Sequence, residues 1–177
     1  SEYATIQIAL DATWENDTVL VQPGTYVESI VWPYLNGIKL ISDGDSSNTI
    51  INPASPDDIV INIQDQGGGI VLDTTTLIIG FTISGSNNGN GIGISLNGTS
   101  PSLNKIQLIN HSRGIDALNS NFVLLNSQIS NCMDSGVYIS SGAWIHTKIE
   151  NTIFTGNTGY RGAGLYSKAN FNAGDNE

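Results

Sequence analysis

The sequence predicts an all-β fold, a right-handed parallel β-helix: a three-sided solenoid of roughly seven coils. Three observations predict it. Short apolar strands recur, and their last apolar residues, Ile83, Leu108, Ile129 and Phe154, are spaced by 25, 21 and 25 residues. Gly or Asn stands two places after each, at Gly85, Asn110, Asn131 and Gly156. No helical pattern separates one strand from the next.

Each repeat contains two further elements. A second strand starts at Gly91, Gly114, Gly136 or Gly162. Its inward residues are expected to be Ile92/Ile94, Ile115/Ala117, Val137/Ile139 and Ala163/Leu165. A third apolar cluster follows at Leu103, at Phe122/Leu124 and at Trp144/Ile145. Three short strands in about 21–26 residues cannot bury their apolar side chains alone. Stacked in parallel at about 4.8 Å, they form columns of Ile, Val and Leu. Asn recurring at one corner, as at Asn110 and Asn131, is expected to form a ladder of side-chain amides. A β-sandwich is the alternative. It would show two-residue turns and strict alternation, and the sequence offers neither regularly.

The organisation is a single domain, 1–177. Residues 1–16 form an N-terminal cap and 17–177 the coils. "TIQIALDAT" (5–13) places Ile6, Ala9 and Leu10 on one helical face, suited to covering the first coil. The chain stops at "NFNAGDNE" just after a repeat begins. The coils are therefore expected to continue past Glu177, or another chain to cover that end.

Composition narrows the function. The chain has 177 residues, enough for one sizeable core. Charged residues are 12%, against an ordinary level of about 25%, so Asn, Ser, Thr and Gly supply the polar surface. The net charge of −10, with six Lys and Arg, provides no basic footprint for nucleic acid and disfavours anionic membranes. Cys132 is the single cysteine, so no internal disulfide forms. No apolar run is long enough for a membrane-spanning helix.

The stretch "DTVLVQPGTYVESI" (17–30), followed by "IKLISDGDSSNTIIN" (38–52), resembles the opening of secreted parallel β-helix proteins of the pectate-lyase-like superfamily. The matching residues are Asp17-Thr18 and Pro23-Gly24-Thr25-Tyr26-Val27-Glu28. "IFTGNTGYRGAGLYS" (153–167) resembles the repeats of bacterial surface β-helices, with Arg161 where those carry the first Gly of a Gly-Gly-Ala trio. The resemblance implies the fold and a secreted or cell-surface location. It does not select an activity, since lyases, hydrolases, adhesins and structural modules share the superfamily.

Stacking turns the repeat into a surface map. The outward columns of the second strand are expected to be Gly93, Asp116, Tyr138, Gly164 and, beside it, Ser95, Leu118, Ser140, Tyr166. The preceding turn adds Asn88, Asn90, His111, Arg113, Asp134, Tyr160 and Arg161. Tyr138, Tyr160 and Tyr166 are candidates to stack on sugar rings. Arg113, Arg161, Asp116 and Asp134 are candidates to hold hydroxyls or carboxylates. In the plainer reading the charges neutralise one another on an exposed face, which contributes little.

A polysaccharide lyase would need a base, and His111, Arg113 and Arg161 are the only candidates on that face. A glycosidase would need two carboxylates about 5–10 Å apart, and Asp116 and Asp134 on adjacent rungs are the candidate pair. No cofactor is implied beyond calcium. "SDGDSSN" (42–48) carries Asp43 and Asp45 at alternate positions, but no bidentate Glu follows, and in the resembling superfamily this segment is an ordinary turn. "DQGGG" (65–69) lacks the Lys and helix of a phosphate loop.

The first functional expectation is a non-catalytic secreted or surface module: a rigid stalk, an adhesin, or a binder of extracellular polysaccharide or cell-surface glycan. The second is a lyase or glycosidase working on such a glycan. A third is end-to-end self-association through the C-terminal coil.

Overall fold

The computed structural model describes residues 2–67, 69–86, 90–142, 145–160 and 162–168. It is a three-sided parallel β-solenoid, and the expected β-helix is present. One side, sheet A, stacks β1 (Thr18–Val21), β4 (Lys39–Ser42), β7 (Leu77–Ile79), β10 (Ser102–Asn104), β13 (Val123–Leu125) and β16 (Lys148–Glu150). Sheet B stacks β2 (Gly24–Val27), β5 (Thr49–Asn52), β8 (Thr82–Ser84), β11 (Gln107–Ile109), β14 (Gln128–Ser130) and β17 (Ile153–Thr155). Sheet C stacks β3 (Ile30–Val31), β6 (Ile59–Gln64), β9 (Ile92–Asn97), β12 (Arg113–Leu118), β15 (Ser135–Ser140) and β18 (Leu165–Lys168). Each sheet has six strands, so the described chain makes about six turns rather than seven.

Alternation along each strand sends one set of side chains inward, and parallel stacking aligns them. Sheet A contributes the column Val19, Leu40, Ile78, Leu103, Leu124, Ile149. Sheet B contributes Tyr26, Ile51, Ile83, Leu108, Ile129, Phe154. Sheet C contributes Ile30, Ile61, Ile94, Ile115, Val137, Leu165. The middle members are buried and meet as one continuous core; Leu165, on the last described rung and expected to face inward, is instead 45% exposed. Ile145 packs against it, while Trp144 lies outside the described residues.

The sheet C register corrects the expected alignment. Gly114 and Gly136 align with Gly93 and Gly164, not with Gly91 and Gly162. The turns entering β9 and β18 are longer, and the extra residues shift these two rungs by two positions. The register pairs Ile115/Ala117 with Ile94/Leu96 rather than with the expected Ile92/Ile94, and Val137/Ile139 with Leu165/Ser167 rather than with Ala163/Leu165, so the inward and the outward columns both change on these two rungs. Gly93 and Gly164 are therefore not outward residues. A Cβ on Gly114 would stand 2.5 Å from the Gly136 carbonyl oxygen, and one on Gly93 2.6 Å from the Gly114 oxygen. At Gly93, Gly114 and Gly136 this corner leaves no room for a side chain, while a Cβ on Gly164 would face Phe154 at 3.5 Å.

The N-terminal cap is as expected. Helix α1 spans Ile6–Asp11, with Ile6, Ala9 and Leu10 buried. Thr5 caps it by accepting from the Ile8 N–H. The Glu28 carboxylate, from the first coil, accepts from the Ile6 and Gln7 N–H groups at 3.0 and 2.9 Å. The Gln7 amide donates to the Val31 carbonyl and accepts from the Val31 N–H. One side chain thus imitates a paired strand and covers the free edge of β3.

Candidate functional site

The candidate site is the outward face of sheet C. With the corrected register, its central column reads Asn62, Ser95, Asp116, Tyr138, Tyr166. Arg113 begins β12 in the column beside it, and Asp134 immediately precedes β15. Alternation turns Asp116, Tyr138 and Tyr166 away from the core. Arg113, three places before Asp116, reaches the same face because Gly114 and Ile115 are both buried and break the alternation at the start of β12. Stacking brings the four together from segments more than fifty residues apart.

Arg113 organises the cluster. Its Nε donates to Asp134 Oδ2 at 2.7 Å, and its Nη1 donates to Asp116 Oδ2 at 2.8 Å. Its guanidinium carbon lies 3.9 Å from the centroid of the Tyr138 ring, within cation–π range. Partial burial works against the charge, but the hydrogen bonds to Asp134 and Asp116 and their negative charges outweigh it. The guanidinium is held above its ordinary pKa. Tyr138 stacks in turn toward Tyr166, with centroids 5.2 Å apart and planes tilted by 37°. Tyr138 thus stands on the rung between Arg113 and Tyr166. The arrangement fixes two carboxylates with one cation and presents aromatic surface next to them.

Five of the expected residues, Arg113, Asp116, Asp134, Tyr138 and Tyr166, are brought together. Tyr160 is 99% exposed in the preceding turn and makes no ring contact among the described residues. Arg161 and Asn88 lie outside the described residues. His111 is not on the face at all. It is 1% exposed, inside the corner after β11, with Nε2 3.0 Å from the Ile83 carbonyl oxygen. Burial pushes its pKa down to about 4, against a smaller upward pull from that carbonyl. A polar turn residue was read as outward, but the hydrogen bond to the neighbouring rung lets it turn in. Ser95, expected one column over, and Asn62, which the sequence reading does not reach, extend the column. The signal for them lay in turn lengths that differ from rung to rung.

Asp43 and Asp45 shape a turn. Asp45 Oδ1 accepts from the Ser47 N–H and hydroxyl, which lowers its pKa. Asp43 accepts from the Gln22 amide. Among the described residues no three His, Cys, Asp or Glu side chains are grouped to hold a metal. No described helix is long and apolar enough to cross a membrane.

No family model matches the sequence, and no curated protein matches it. Among solved structures, the ORF18 protein of Geobacillus virus E2 is similar, with a TM-score of 0.65 and 20% identity. The match covers 84% of this chain and 31% of that one, so the chain spans about a third of that protein's length. At this identity the likeness shows the solenoid fold alone.

Proposed function

We propose that the chain is a non-catalytic, secreted or cell-surface module of the pectate-lyase-like β-helix kind, and that its sheet C face binds an extracellular glycan. The observation that carries this reading is the Arg113–Asp116–Asp134–Tyr138–Tyr166 cluster. Aromatic rings take the apolar face of a sugar, and the carboxylates beside them accept from its hydroxyls. The cap and the Pro23-Gly24-Thr25-Tyr26 segment support the finer placement.

The cluster favours binding over chemistry. A lyase needs a base beside the scissile bond. Arg113 is held charged by two carboxylates, and His111 is enclosed in the core. A glycosidase needs two carboxyl groups in opposite roles, whereas Asp116 and Asp134 share one guanidinium.

The test is a glycan-array screen, with release of unsaturated uronate products monitored in parallel. Binding without product is expected. Tyr138→Ala and Tyr166→Ala should each weaken binding about tenfold, the equivalent of one aromatic contact of about 1.4 kcal/mol, with the far-ultraviolet dichroism unchanged. Unaltered binding in both variants removes this face from the proposal. Product release replaces the module with an enzyme.

A further inference from the structure

A second feature lies on a different side of the solenoid. A groove of about 490 Å³ runs along the corner between sheets A and B, within the range of about 300–1,000 Å³ usual for small-ligand sites. Its floor follows the outward column of sheet B through Gln107, Gln128 and Ile153. One end is walled by the 43–48 loop. The Thr82 hydroxyl donates to the Ser46 carbonyl at 2.5 Å, and the Gln107 amide donates to the Ser46 hydroxyl at 3.1 Å.

The lining has a particular chemistry. Gln107 is engaged by the loop. Gln128, one rung on, makes no side-chain hydrogen bond among the described residues, so its amide offers an acceptor and two donors to the groove. One rung further, Ile153 exposes 62% of its surface. The side wall is a run of amides, with Asn151 donating to Asn126 at 3.4 Å and Asn126 to Asn104 at 3.0 Å. Lys105, without an ion pair among the described residues, and Asp45 stand at the rim with opposite charges.

We propose that this groove binds a neutral 2-acetamido sugar unit. Another amide satisfies the donor and acceptor of Gln128 together, and an acetamido group is an amide carrying a methyl. That methyl has Ile153 to pack on, about 4.8 Å along the column. The ring hydroxyls meet the Asn126 and Asn151 amides and the Ser46 and Ser47 hydroxyls. The balanced rim charges favour a neutral ligand over an acidic one. The site is independent of the sheet C face.

Tetra-N-acetylchitotetraose and cellotetraose form a matched pair of probes, differing only in acetamido against hydroxyl. Titration calorimetry is expected to show the acetylated probe binding about tenfold more tightly, and Gln128→Leu removing that preference. Gln128→Glu, which keeps the shape and the acceptor but loses the donors, should weaken it in the same direction and guards against a folding artefact in the first variant. Tyr138→Ala should leave the preference intact. Equal affinities, no binding by either probe, or a preference that survives Gln128→Leu would overturn the proposal. Loss of the preference in Tyr138→Ala would also overturn it, by moving the sugar to sheet C.

Discussion

His111 makes acid stability a direct test of the solenoid interior. Its imidazole is enclosed, Nε2 meets the Ile83 carbonyl, and Nδ1 has no partner among the described residues. The Cys132 thiol occupies the same place one rung on, and burial pushes its pKa up to about 11, so it stays neutral. Protonating His111 places a charge with one hydrogen bond in an apolar corner. The folded state therefore holds the pKa down from 6.5 to about 4. The unfolded chain binds the proton more readily, so stability is full above about pH 6.5 and is lost as the pH falls through 4. The gap corresponds to about 3 kcal/mol once the pH lies below both values. The chain also carries sixteen Asp and Glu residues, so the effect of His111 must be isolated by a variant. Asn157, two rungs above His111, points the way: its amide donates to the Ile129 carbonyl as His111 does to Ile83. Urea unfolding of the wild type and of His111→Asn, at about pH 7.5 and about pH 4.5, should show the wild type losing about 2–3 kcal/mol more than the variant. Parallel losses in the two proteins would refute the reasoning and place the imidazole in contact with water.

Other perturbations address the corners and the cap. Lys105 has φ +53° at a corner where the neighbouring rungs carry Gly80, Asn126 and Asn151, all with positive φ. Lys105→Asn should relieve that strain and stabilise the fold by about 1 kcal/mol, read as a higher urea midpoint at constant slope. Gly114→Ala should destabilise by about 1–3 kcal/mol, because its methyl would meet the Gly136 oxygen at 2.5 Å and Ile129 Cγ2 at 2.7 Å. Gly142→Ala, whose added Cβ would meet no described atom within 4 Å, is the neutral control, and equal effects would contradict the tight-corner account. Gln7→Leu removes both hydrogen bonds to Val31 and should cost about 1–2 kcal/mol. It also frees the edge of β3, so concentration-dependent association should appear in light scattering. A variant that stays monomeric and equally stable would show that the amide does not protect the edge.

The sequence showed the core and blurred the surface, for one physical reason. Apolar residues repeat along the strands with period two, and stacking aligns them in columns, so Ile83, Leu108, Ile129 and Phe154 could be matched by their spacing. The cap was legible in the same way from Ile6, Ala9 and Leu10. Turn length has no such marker. The polar residues before β9 and β18 give no sign of how many belong to the corner, and the two-residue offset there displaced Gly93 and Gly164 into the outward column. Tyr138 and Tyr166 were assigned to neighbouring columns. They share one, which brings their rings to 5.2 Å. The amide ladder was expected at Asn110 and Asn131. Those residues instead hold positive φ at their corner, and the amides meet at Asn104, Asn126 and Asn151. Asn126 and Asn151 hold positive φ as well, so left-handed backbone and side-chain ladder occur together at one corner and only the first at the other, and composition does not separate the two cases. His111 follows the same logic. Its repeat position is taken by Cys132 and Asn157 in the next rungs, and a place that accepts His, Cys and Asn in turn is a small interior pocket with a carbonyl to satisfy. Strand alternation therefore sets which face a residue occupies, and turn length sets which residues become neighbours on it. Binding depends on the neighbours, so the interior of a solenoid is legible from its pattern while its sites emerge only when the rungs are counted in three dimensions.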